Sequence, residues 1–216
     1  MKIAVFGGSF NPVHMGHLVL AEDLCVKLGY DKVLFVPTYI APHKEMQSQV
    51  SARDRLNMVK AFCRADRRFV AEPCEINRKG VSYTYDTICW LEKKYAGKLD
   101  SKIGLVIGSD LQKDFHLWYK AKELSQKAQL ILARRPERSY LAKNEFSNAE
   151  KGDYGKDTSS DNSELFKNAL VIDNPLIDLS STDIRQRIGT GQSFKYLVPR
   201  EILKYIYKGH LYGYNS

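Results

Sequence analysis

The chain has 216 residues, which is enough for one domain of good size or for one domain with an insertion. It is 44% hydrophobic and 27% charged, a composition that excludes a disordered chain, a collagen-like repeat and a coiled-coil rod. Its apolar runs are far shorter than the roughly 20 residues of a membrane span, and the N-terminal run is too short for a signal peptide. The net charge of +8 favours polyanionic ligands, namely nucleotides, nucleic acid or a membrane surface, without choosing among them.

Strands and helices alternate along most of the chain. Strands are predicted at 2–6, 32–37, 68–76, 102–107, 129–133 and 169–173. Helices are predicted at 15–28, 51–64, 83–95, 181–188 and 199–208. Pro73 predicts an edge position or a break for the third strand. This alternation indicates an α/β fold, with a parallel sheet that carries helices on both faces.

One stretch, 138–168, breaks the pattern because it is polar and has no clear periodicity. We predict that it is an insertion within a single domain that spans 1–216. Ligands of parallel sheets bind beyond the C-terminal ends of strands, near the point where the strand order reverses. The segments that follow predicted strands are 7–17, 37–44, 108–110 and 134–135.

The four cysteines, Cys25, Cys63, Cys74 and Cys89, lie far apart and form no C-x-x-C pair. Their spacing argues against a disulfide framework and against a zinc ribbon. We expect reduced and mostly buried thiols in a cytoplasmic protein.

The strongest chemical signal is the segment 7–17, with the sequence GGSFNPVHMGH, which follows the first predicted strand. Its two leading glycines let the backbone turn tightly, and the helix that begins near the histidines presents N–H groups that suit phosphate. His14 and His17 lie three residues apart and share one face of that helix. Gly16 removes a side chain that could obstruct a ligand. Two imidazoles at this place can donate hydrogen bonds to phosphate oxygens as charge develops.

Other interpretations of this segment are weaker. A zinc-binding pair would have H-E-x-x-H spacing with a glutamate, and neither the dinucleotide fingerprint G-x-G-x-x-G nor the P-loop pattern G-x-x-x-x-G-K-[ST] is present. We therefore predict no metal held by protein side chains. Two histidines that merely cap a helix are the remaining structural alternative.

A second signal lies in 178–185, where hydroxyl residues lead into a predicted helix and Arg185 follows one turn later. On its own this segment is typical of a Ser/Thr helix cap with a surface arginine. The functional interpretation is a second phosphate clamp made of hydroxyls, helix N–H groups and a guanidinium. That interpretation gains weight because the first segment also favours phosphate.

Weaker signals follow other strands. His43 and Lys44 end a turn that either points into a cleft or lies in solvent as a basic turn. Gly108 and Asp110 follow a central strand, where a carboxylate can accept hydrogen bonds from a ribose, although a lone aspartate is more often a helix cap. Trp118 offers a flat face to a heteroaromatic ring, although a lone tryptophan is more often part of the core.

Together these motifs resemble a known family. The segments 7–17 and 180–185 resemble the nucleotidyltransferase superfamily that carries H-x-G-H and an S-x-T-x-x-R-like element. The segments that narrow the resemblance to bacterial nicotinate mononucleotide adenylyltransferases are 42–44, 82–87, 108–110 and 118–119. The resemblance covers residues from 1 to about 136 and from about 169 to the end of the chain, and it implies a Rossmann-like fold.

The resemblance also implies roles for individual residues. The residues it assigns to ATP are Gly7, Gly8, Ser9, Phe10, His14, His17, Gly108, Asp110, Ser181, Thr182 and Arg185. The residues it assigns to nicotinate mononucleotide are Lys44, Thr84, Trp118, Tyr119 and Arg135. The residues to which it gives catalytic roles, through charge stabilisation on the phosphates, are His14, His17, Lys44 and Arg185.

The reaction that the resemblance implies is ATP + nicotinate mononucleotide → nicotinate adenine dinucleotide + pyrophosphate, by direct in-line attack. The attacking phosphate monoester has a second pKa of about 6, so it is largely dianionic at neutral pH and needs no general base. Mg²⁺ is expected to be bound through the ATP phosphates. The expected partners are ATP and nicotinate mononucleotide, not nucleic acid or a membrane, and a homo-oligomer is compatible with the sequence.

The sequence departs from the family at two places: Asn11 stands where many relatives have aspartate, and the stretch 138–168 is longer than usual. Pantetheine-phosphate adenylyltransferases and cytidylyltransferases share H-x-G-H, but the segments 42–44 and 118–119 argue against both. Nicotinamide mononucleotide is an alternative acceptor. A basic nucleic-acid-binding module is disfavoured because the basic residues are dispersed and no RRM, KH or basic-helix motif is present.

Overall fold

The computed structural model describes residues 1–40, 42, 50–134 and 162–215. Within these residues one sheet contains six parallel strands in the order β3-β2-β1-β4-β5-β6. The strands are β1 (Ile3–Gly8), β2 (Lys32–Pro37), β3 (Phe69–Ala71), β4 (Gly104–Gly108), β5 (Gln129–Ala133) and β6 (Leu170–Ile172). The strand order reverses between β1 and β4, so the switch point lies where the segments 7–17 and 108–110 begin.

Helices connect the strands. The α-helices are α1 (Met15–Leu28), α2 (Ala52–Cys63), α3 (Cys74–Arg78), α4 (Thr84–Lys94), α5 (Ala121–Lys127), α6 (Asn162–Leu165), α7 (Ser181–Gly189) and α8 (Arg200–Gly209). A 3₁₀ helix spans Ser109–Leu117, and a 3₁₀ turn spans Leu211–Gly213. None of the described helices is both long and apolar enough to cross a membrane.

Two hydrophobic clusters cover the two faces of the sheet. Successive residues of a strand point to opposite faces, and on β1 Ala4 and Phe6 enter one cluster while Ile3 and Val5 enter the other. The first cluster includes buried residues of α1, α2, α7 and α8, and the second includes buried residues of α4 and α5. The prediction of a Rossmann-like α/β fold with helices on both faces is therefore confirmed.

Several element boundaries follow local sequence signals. The predicted range of α1 is confirmed, and Gly29 ends that helix in the left-handed conformation with φ of 67°. Ser51 caps α2, since its hydroxyl oxygen accepts a hydrogen bond from the Asp54 backbone N–H at 3.0 Å.

The third strand is shorter than predicted. It ends at Ala71, and the residues Cys74–Arg78 form a short helix with Pro73 at its cap. Proline has no backbone N–H and cannot continue the ladder, so the chain leaves the sheet there. The predicted edge position of the strand is confirmed, because β3 is the outermost strand next to β2.

The stretch 138–168 falls only partly within the described residues, because 138–161 lie outside them. The described remainder includes α6 and Phe166, which is buried and packs 5.0 Å from the Phe115 ring. These last residues thus contribute to a core cluster of the same domain. The single-domain boundary and the insertion stay predictions.

All four cysteines are free thiols, as predicted, and three of them are buried. Burial raises the pKa of the Cys63 and Cys74 thiols to about 12. At neutral pH these two groups are protonated and unreactive.

Close packing against β4 gives a stability prediction. A Cβ atom at Gly104 would overlap the buried Tyr30 hydroxyl and lie 2.8 Å from Ile131 Cδ1. We expect Gly104→Ala to lower the free energy of unfolding by about 1–3 kcal/mol, measured by urea denaturation. The matched control is Gly189→Ala at the end of α7, where nothing lies within 4 Å of the new Cβ, so its stability should rise by at most about 1 kcal/mol. Equal stabilities for the two variants would contradict this account.

Candidate active site

The loop between β1 and α1, residues 9–14, forms the centre of the candidate site and is called the β1–α1 loop. Phe10 adopts a left-handed conformation with φ of 46°, and its ring centroid lies 5.1 Å from that of His17. A Cβ at Gly8 would lie 3.3 Å from the Phe10 ring, whereas one at Gly7 would have open space around it. The two glycines therefore differ: Gly8 permits close packing of the loop, and Gly7 leaves room beside the end of β1.

The two histidines of the H-x-G-H segment stack on each other. Their ring centroids lie 3.7 Å apart, and the His17 ring also contacts Phe6 and Phe10. The His14 backbone N–H donates a hydrogen bond to His17 Nδ1 at 3.0 Å. Because Nδ1 accepts this bond, a neutral His17 ring carries its proton on Nε2, which is then a donor for a ligand. His14 is 5% exposed and His17 is 8% exposed, so both side chains are buried.

The start of α1 is built more tightly than the sequence indicates. A Cβ at Gly16 would lie 3.2 Å from two atoms of the His14 ring, so the glycine makes room for that imidazole in addition to any ligand. The Met15 N–H donates to the Leu197 carbonyl at 3.0 Å. This one donor at the start of α1 is therefore used within the protein.

The N-terminal end of α7 lies against the β1–α1 loop. Arg185 Nη1 donates to the Asn11 carbonyl at 2.9 Å, and the Ser181 hydroxyl donates to the Pro12 carbonyl at 2.8 Å. Arg185 Nη2 also donates to Thr182 Oγ1 at 3.2 Å. Segments that are 169 and 174 residues apart in the chain thus meet at one place. The arrangement gathers imidazole, guanidinium and helix N–H groups, which are donors for phosphate oxygens.

The cap of α7 is Ser180. Its hydroxyl oxygen accepts from the Asp183 N–H at 3.2 Å, and the Asp183 carboxylate accepts from the Ser180 N–H at 2.9 Å. The alternative of an ordinary Ser cap is therefore correct for Ser180. Ser181 and Arg185, which donate to the loop, and Thr182, which accepts from Arg185, follow it in the helix.

The end of β4 lies beside the end of β1. The two strands pair in parallel, with Val5 opposite Leu105, so Gly108 reaches the same edge of the sheet as the β1–α1 loop. Asp110 lies in the first turn of the 3₁₀ helix that follows and is exposed. Its position suits the ribose role that the sequence predicts.

An aromatic patch follows the 3₁₀ helix. Tyr119 is 44% exposed, and its ring centroid lies 4.8 Å from that of Tyr83 and 6.1 Å from that of Tyr85. Lys120 Nζ lies 4.7 Å from the Tyr85 ring centroid and 5.3 Å from that of Tyr119, within cation–π range. The patch combines flat apolar faces with one positive charge.

The two other residues predicted for the nicotinate ring have different surroundings. The Trp118 ring packs 5.1 Å from the buried Phe115 ring and is only half-buried, so it joins the core on one side. Thr84 is the first residue of α4 and is half-buried, next to Tyr83 of the patch. Tyr83 contacts Tyr119, and Thr84 directly follows Tyr83 in the chain at the start of α4.

A family model described as "Cytidylyltransferase-like" matches residues 5–187 of the chain. The chain belongs to this cytidylyltransferase-like family. Two relatives named "Probable nicotinate-nucleotide adenylyltransferase" are similar to it over 90% or more of their own length. The protein of Treponema pallidum (strain Nichols) is 36% identical over 212 residues, which cover 98% of this chain and 99% of the relative. The protein of Lactiplantibacillus plantarum is 34% identical over 215 residues, which cover 100% and 90%.

Solved structures have the same fold. A Plasmodium falciparum nicotinic acid mononucleotide adenylyltransferase complexed with NaAD matches with a TM-score of 0.72 at 18% identity, over 99% of this chain and 98% of that one. A putative nicotinate-nucleotide adenylyltransferase from Vibrio parahaemolyticus matches with a TM-score of 0.64 at 20% identity, over 98% and 96%. At these identities the likeness concerns the fold of the cytidylyltransferase-like domain.

Some predicted site residues lie outside the described part of the chain. Lys44 and Arg135, which the sequence assigns to the acceptor nucleotide, belong to this group, as does His43. Their roles stay predictions.

Two residues beneath the loop of this cytidylyltransferase-like protein were not predicted from the sequence. Arg55 of α2 is 1% exposed and donates to the Ser9 carbonyl at 2.9 Å and to the Tyr39 carbonyl at 3.3 Å. Tyr212 donates to Asn11 Oδ1 at 2.8 Å. A signal for Arg55 exists in the sequence, because it continues the apolar stripe of α2 that includes the buried residues 58, 59 and 62. Burial lowers the pKa of the Arg55 guanidinium, which nevertheless stays charged at neutral pH.

Proposed function

We propose that this protein is a nicotinate-nucleotide adenylyltransferase of NAD biosynthesis, which transfers AMP from ATP to nicotinate mononucleotide. The observation that carries the proposal is the contact of Arg185 and Ser181 with the loop that leads into His14 and His17. It gathers the donors for one triphosphate at the switch point of the sheet. The relatives that share about a third of the sequence over 98–100% of the chain bear this name, which supports the same conclusion.

The reaction is a direct displacement at the α-phosphorus of ATP. The acceptor phosphate oxygen forms a bond to this phosphorus as the bond to the β-phosphate oxygen breaks, and pyrophosphate leaves. The acceptor phosphate is largely dianionic at neutral pH, so no side chain has to remove a proton. The protein has to align two polyanions and offset their repulsion.

In this proposal His14, His17 and Arg185 stabilise the charge that develops on the phosphates. His17 Nε2–H is aimed by the bond that Nδ1 accepts from the His14 N–H. The hydroxyl proton of Ser181 is used on the Pro12 carbonyl, so Ser181 offers the polyphosphate its N–H group at the start of α7. Thr182 Oγ1 accepts from Arg185 Nη2, so the Thr182 hydroxyl keeps its proton to donate to the polyphosphate. Lys44, outside the described residues, adds a further positive charge.

The remaining predicted residues divide between the two nucleotides. Gly7, Gly8, Ser9 and Phe10 border the ATP cleft, and Gly108 with Asp110 holds the adenosine. The nicotinate ring lies against Tyr119 and Trp118 near Thr84, with Arg135 as a further cation for the mononucleotide.

We propose that Mg²⁺ enters the site as the ATP complex and thus as part of the substrate. The groups that this proposal places at the phosphates are mainly imidazole, guanidinium and N–H groups, whereas magnesium prefers oxygen ligands. Among the described residues no group of three or more His, Cys, Asp or Glu side chains could hold a metal ion. We also propose a cytoplasmic location, since all four thiols are unpaired, and substrates that are small molecules and not nucleic acid or membranes.

The test is pyrophosphate release from ATP with nicotinate mononucleotide, compared with nicotinamide mononucleotide. The extra carboxylate of the nicotinate form can accept charge-assisted hydrogen bonds worth about 1.5–3 kcal/mol, so we expect its kcat/KM to be about 10–150-fold higher. CTP in place of ATP and 4′-phosphopantetheine as acceptor are the controls. Faster turnover with either control would replace the proposal by another member of the superfamily. Salt-sensitive RNA binding without pyrophosphate release would favour the nucleic-acid-binding alternative.

A further inference from the structure

The β1–α1 loop holds a residue in an unfavourable backbone conformation. Phe10 is not glycine, and its φ of 46° lies in the left-handed region that bulky side chains rarely adopt. Such conformations persist only where the surroundings fix them. The Phe10 ring contacts His17, so whatever fixes the backbone of Phe10 also fixes an imidazole of the site.

On one side of Phe10 the backbone is held by Arg55. Its two terminal nitrogens donate to the carbonyls of Ser9 and Tyr39, which follow β1 and β2 respectively. A planar guanidinium can span two carbonyls in this way, whereas an ammonium acts as a point charge. Burying a cation costs free energy unless it forms hydrogen bonds. Arg55 lies on the otherwise apolar buried face of α2, so its hydrogen bonds to the two carbonyls offset this cost.

On the other side of Phe10 the chain is held by Tyr212, 201 residues further along the sequence. The Tyr212 hydroxyl donates to Asn11 Oδ1 at 2.8 Å, while Arg185 donates to the Asn11 carbonyl. Tyr212 is buried and itself left-handed, with φ of 62°, in the turn after α8. Its hydroxyl lies 4.0 Å from Met58 Sδ of α2, so the C-terminal turn and α2 meet beneath the loop.

We propose that Arg55 and Tyr212 are positioning residues, which hold the β1–α1 loop on both sides of Phe10 and thereby fix the His17 ring for transition-state stabilisation. This inference rests on the proposed adenylyl transfer. Neither side chain is assigned a contact with substrate; each acts through the loop.

The test is Tyr212→Phe, which removes one hydroxyl and keeps the ring. We expect kcat for pyrophosphate release to fall by about tenfold, the equivalent of one lost hydrogen bond, with KM for ATP changed less than about threefold. The matched control is Tyr205→Phe in α8, which loses a hydroxyl that donates to Asp54 Oδ1 at 2.9 Å and accepts from Asn57 Nδ2 at 3.2 Å, both in α2 and not in the loop. Its kcat should equal that of the unmodified protein. A kcat for Tyr212→Phe within twofold of the control would overturn the proposal.

A second readout does not depend on turnover. In protein labelled at histidine with ¹³C, the His17 ring resonance is assigned as the peak that disappears in His17→Ala. Tyr212→Phe should shift this resonance. The His116 resonance should not move, and Tyr205→Phe should leave His17 unchanged. A shifted His17 resonance in a protein that releases no pyrophosphate from either mononucleotide would reject the proposed function and keep the positioning role. An unshifted resonance would reject the positioning role.

Arg55→Lys examines the other side of the loop, because it keeps the charge and loses the fork. We expect the same His17 shift and a fall in kcat of about 10²-fold, as for a misplaced catalytic group. A folded Arg55→Lys protein with unchanged kcat and an unshifted His17 resonance would exclude Arg55 from the role. If the substitution prevents folding, the Tyr212→Phe result alone decides the proposal.

Discussion

His17→Ala is expected to lower kcat by about 10²–10³, the usual effect of removing one preorganised hydrogen-bond donor from a transition state. The physical reason is the fixed proton on Nε2, since Nδ1 accepts the His14 N–H at 3.0 Å and the ring is packed between aromatic side chains. KM for ATP should change much less, because the donor matters most when charge develops. Steady-state pyrophosphate release at several ATP concentrations measures both parameters.

His17→Asn separates two roles of the same side chain. The asparagine Oδ1 can accept from the His14 N–H as Nδ1 does, but no donor replaces Nε2–H. If donation to phosphate is the role, the kcat of His17→Asn should be as low as that of His17→Ala. The free energy of unfolding of His17→Asn should nevertheless be the higher of the two, because Oδ1 restores an acceptor for the His14 N–H. Recovery of kcat in His17→Asn would mean that the ring serves only to cap the helix. His116→Ala is the matched control, because this histidine is exposed and lies in the last turn of the 3₁₀ helix.

The parts of the fold that local chemistry determines could be predicted from the sequence. The helix from Met15 to Leu28 has a clear period and a glycine that ends it, so both boundaries were predicted correctly. The strand predicted over 68–76 was too long, because the residues after Pro73 form a short helix. In so short a segment the pattern of apolar residues does not distinguish a helix from a strand. The parallel sheet followed from the alternation of elements. The rule that ligands bind beyond the ends of strands indicated four segments, one of which carries the histidines, and the strand order then placed that segment at the switch point.

The parts of the site that depend on distant contacts could be predicted only in outline. The sequence indicates that the segments 7–17 and 178–185 both favour phosphate, but it does not predict the hydrogen bond from the Arg185 guanidinium to the Asn11 carbonyl. Tyr212 is contributed by a turn near the C-terminus, and no local pattern relates it to a loop 201 residues earlier. An arginine in a helix is usually exposed, and only the position of Arg55 on the buried stripe of α2 indicates its role.

Arg185→Ala is expected to lower kcat/KM for ATP by about 10²–10³. A hydrogen bond to a charged group is worth about 1.5–3 kcal/mol, and the same side chain also holds the Asn11 carbonyl and Thr182. Both losses act on the polyphosphate, one directly and one through the shape of the β1–α1 loop. Arg185→Lys should recover only part of the activity, because an ammonium cannot make the paired contacts of the guanidinium.

The matched control for this prediction is Arg187→Ala, two residues further along α7. Arg187 is exposed and donates to the Ser193 carbonyl at 3.3 Å, and within the described residues it makes no hydrogen bond to the loop. Its removal nevertheless changes the net charge equally. If Arg185 acts at the phosphates, Arg187→Ala keeps kcat/KM within about twofold of the unmodified protein. Added salt should then leave the difference in kcat/KM between Arg185→Ala and Arg187→Ala in place, because salt screens exposed charges far more than partly buried contacts. Equal losses in both variants, which disappear together at high salt, would reduce the role of Arg185 to long-range attraction of ATP by a basic surface.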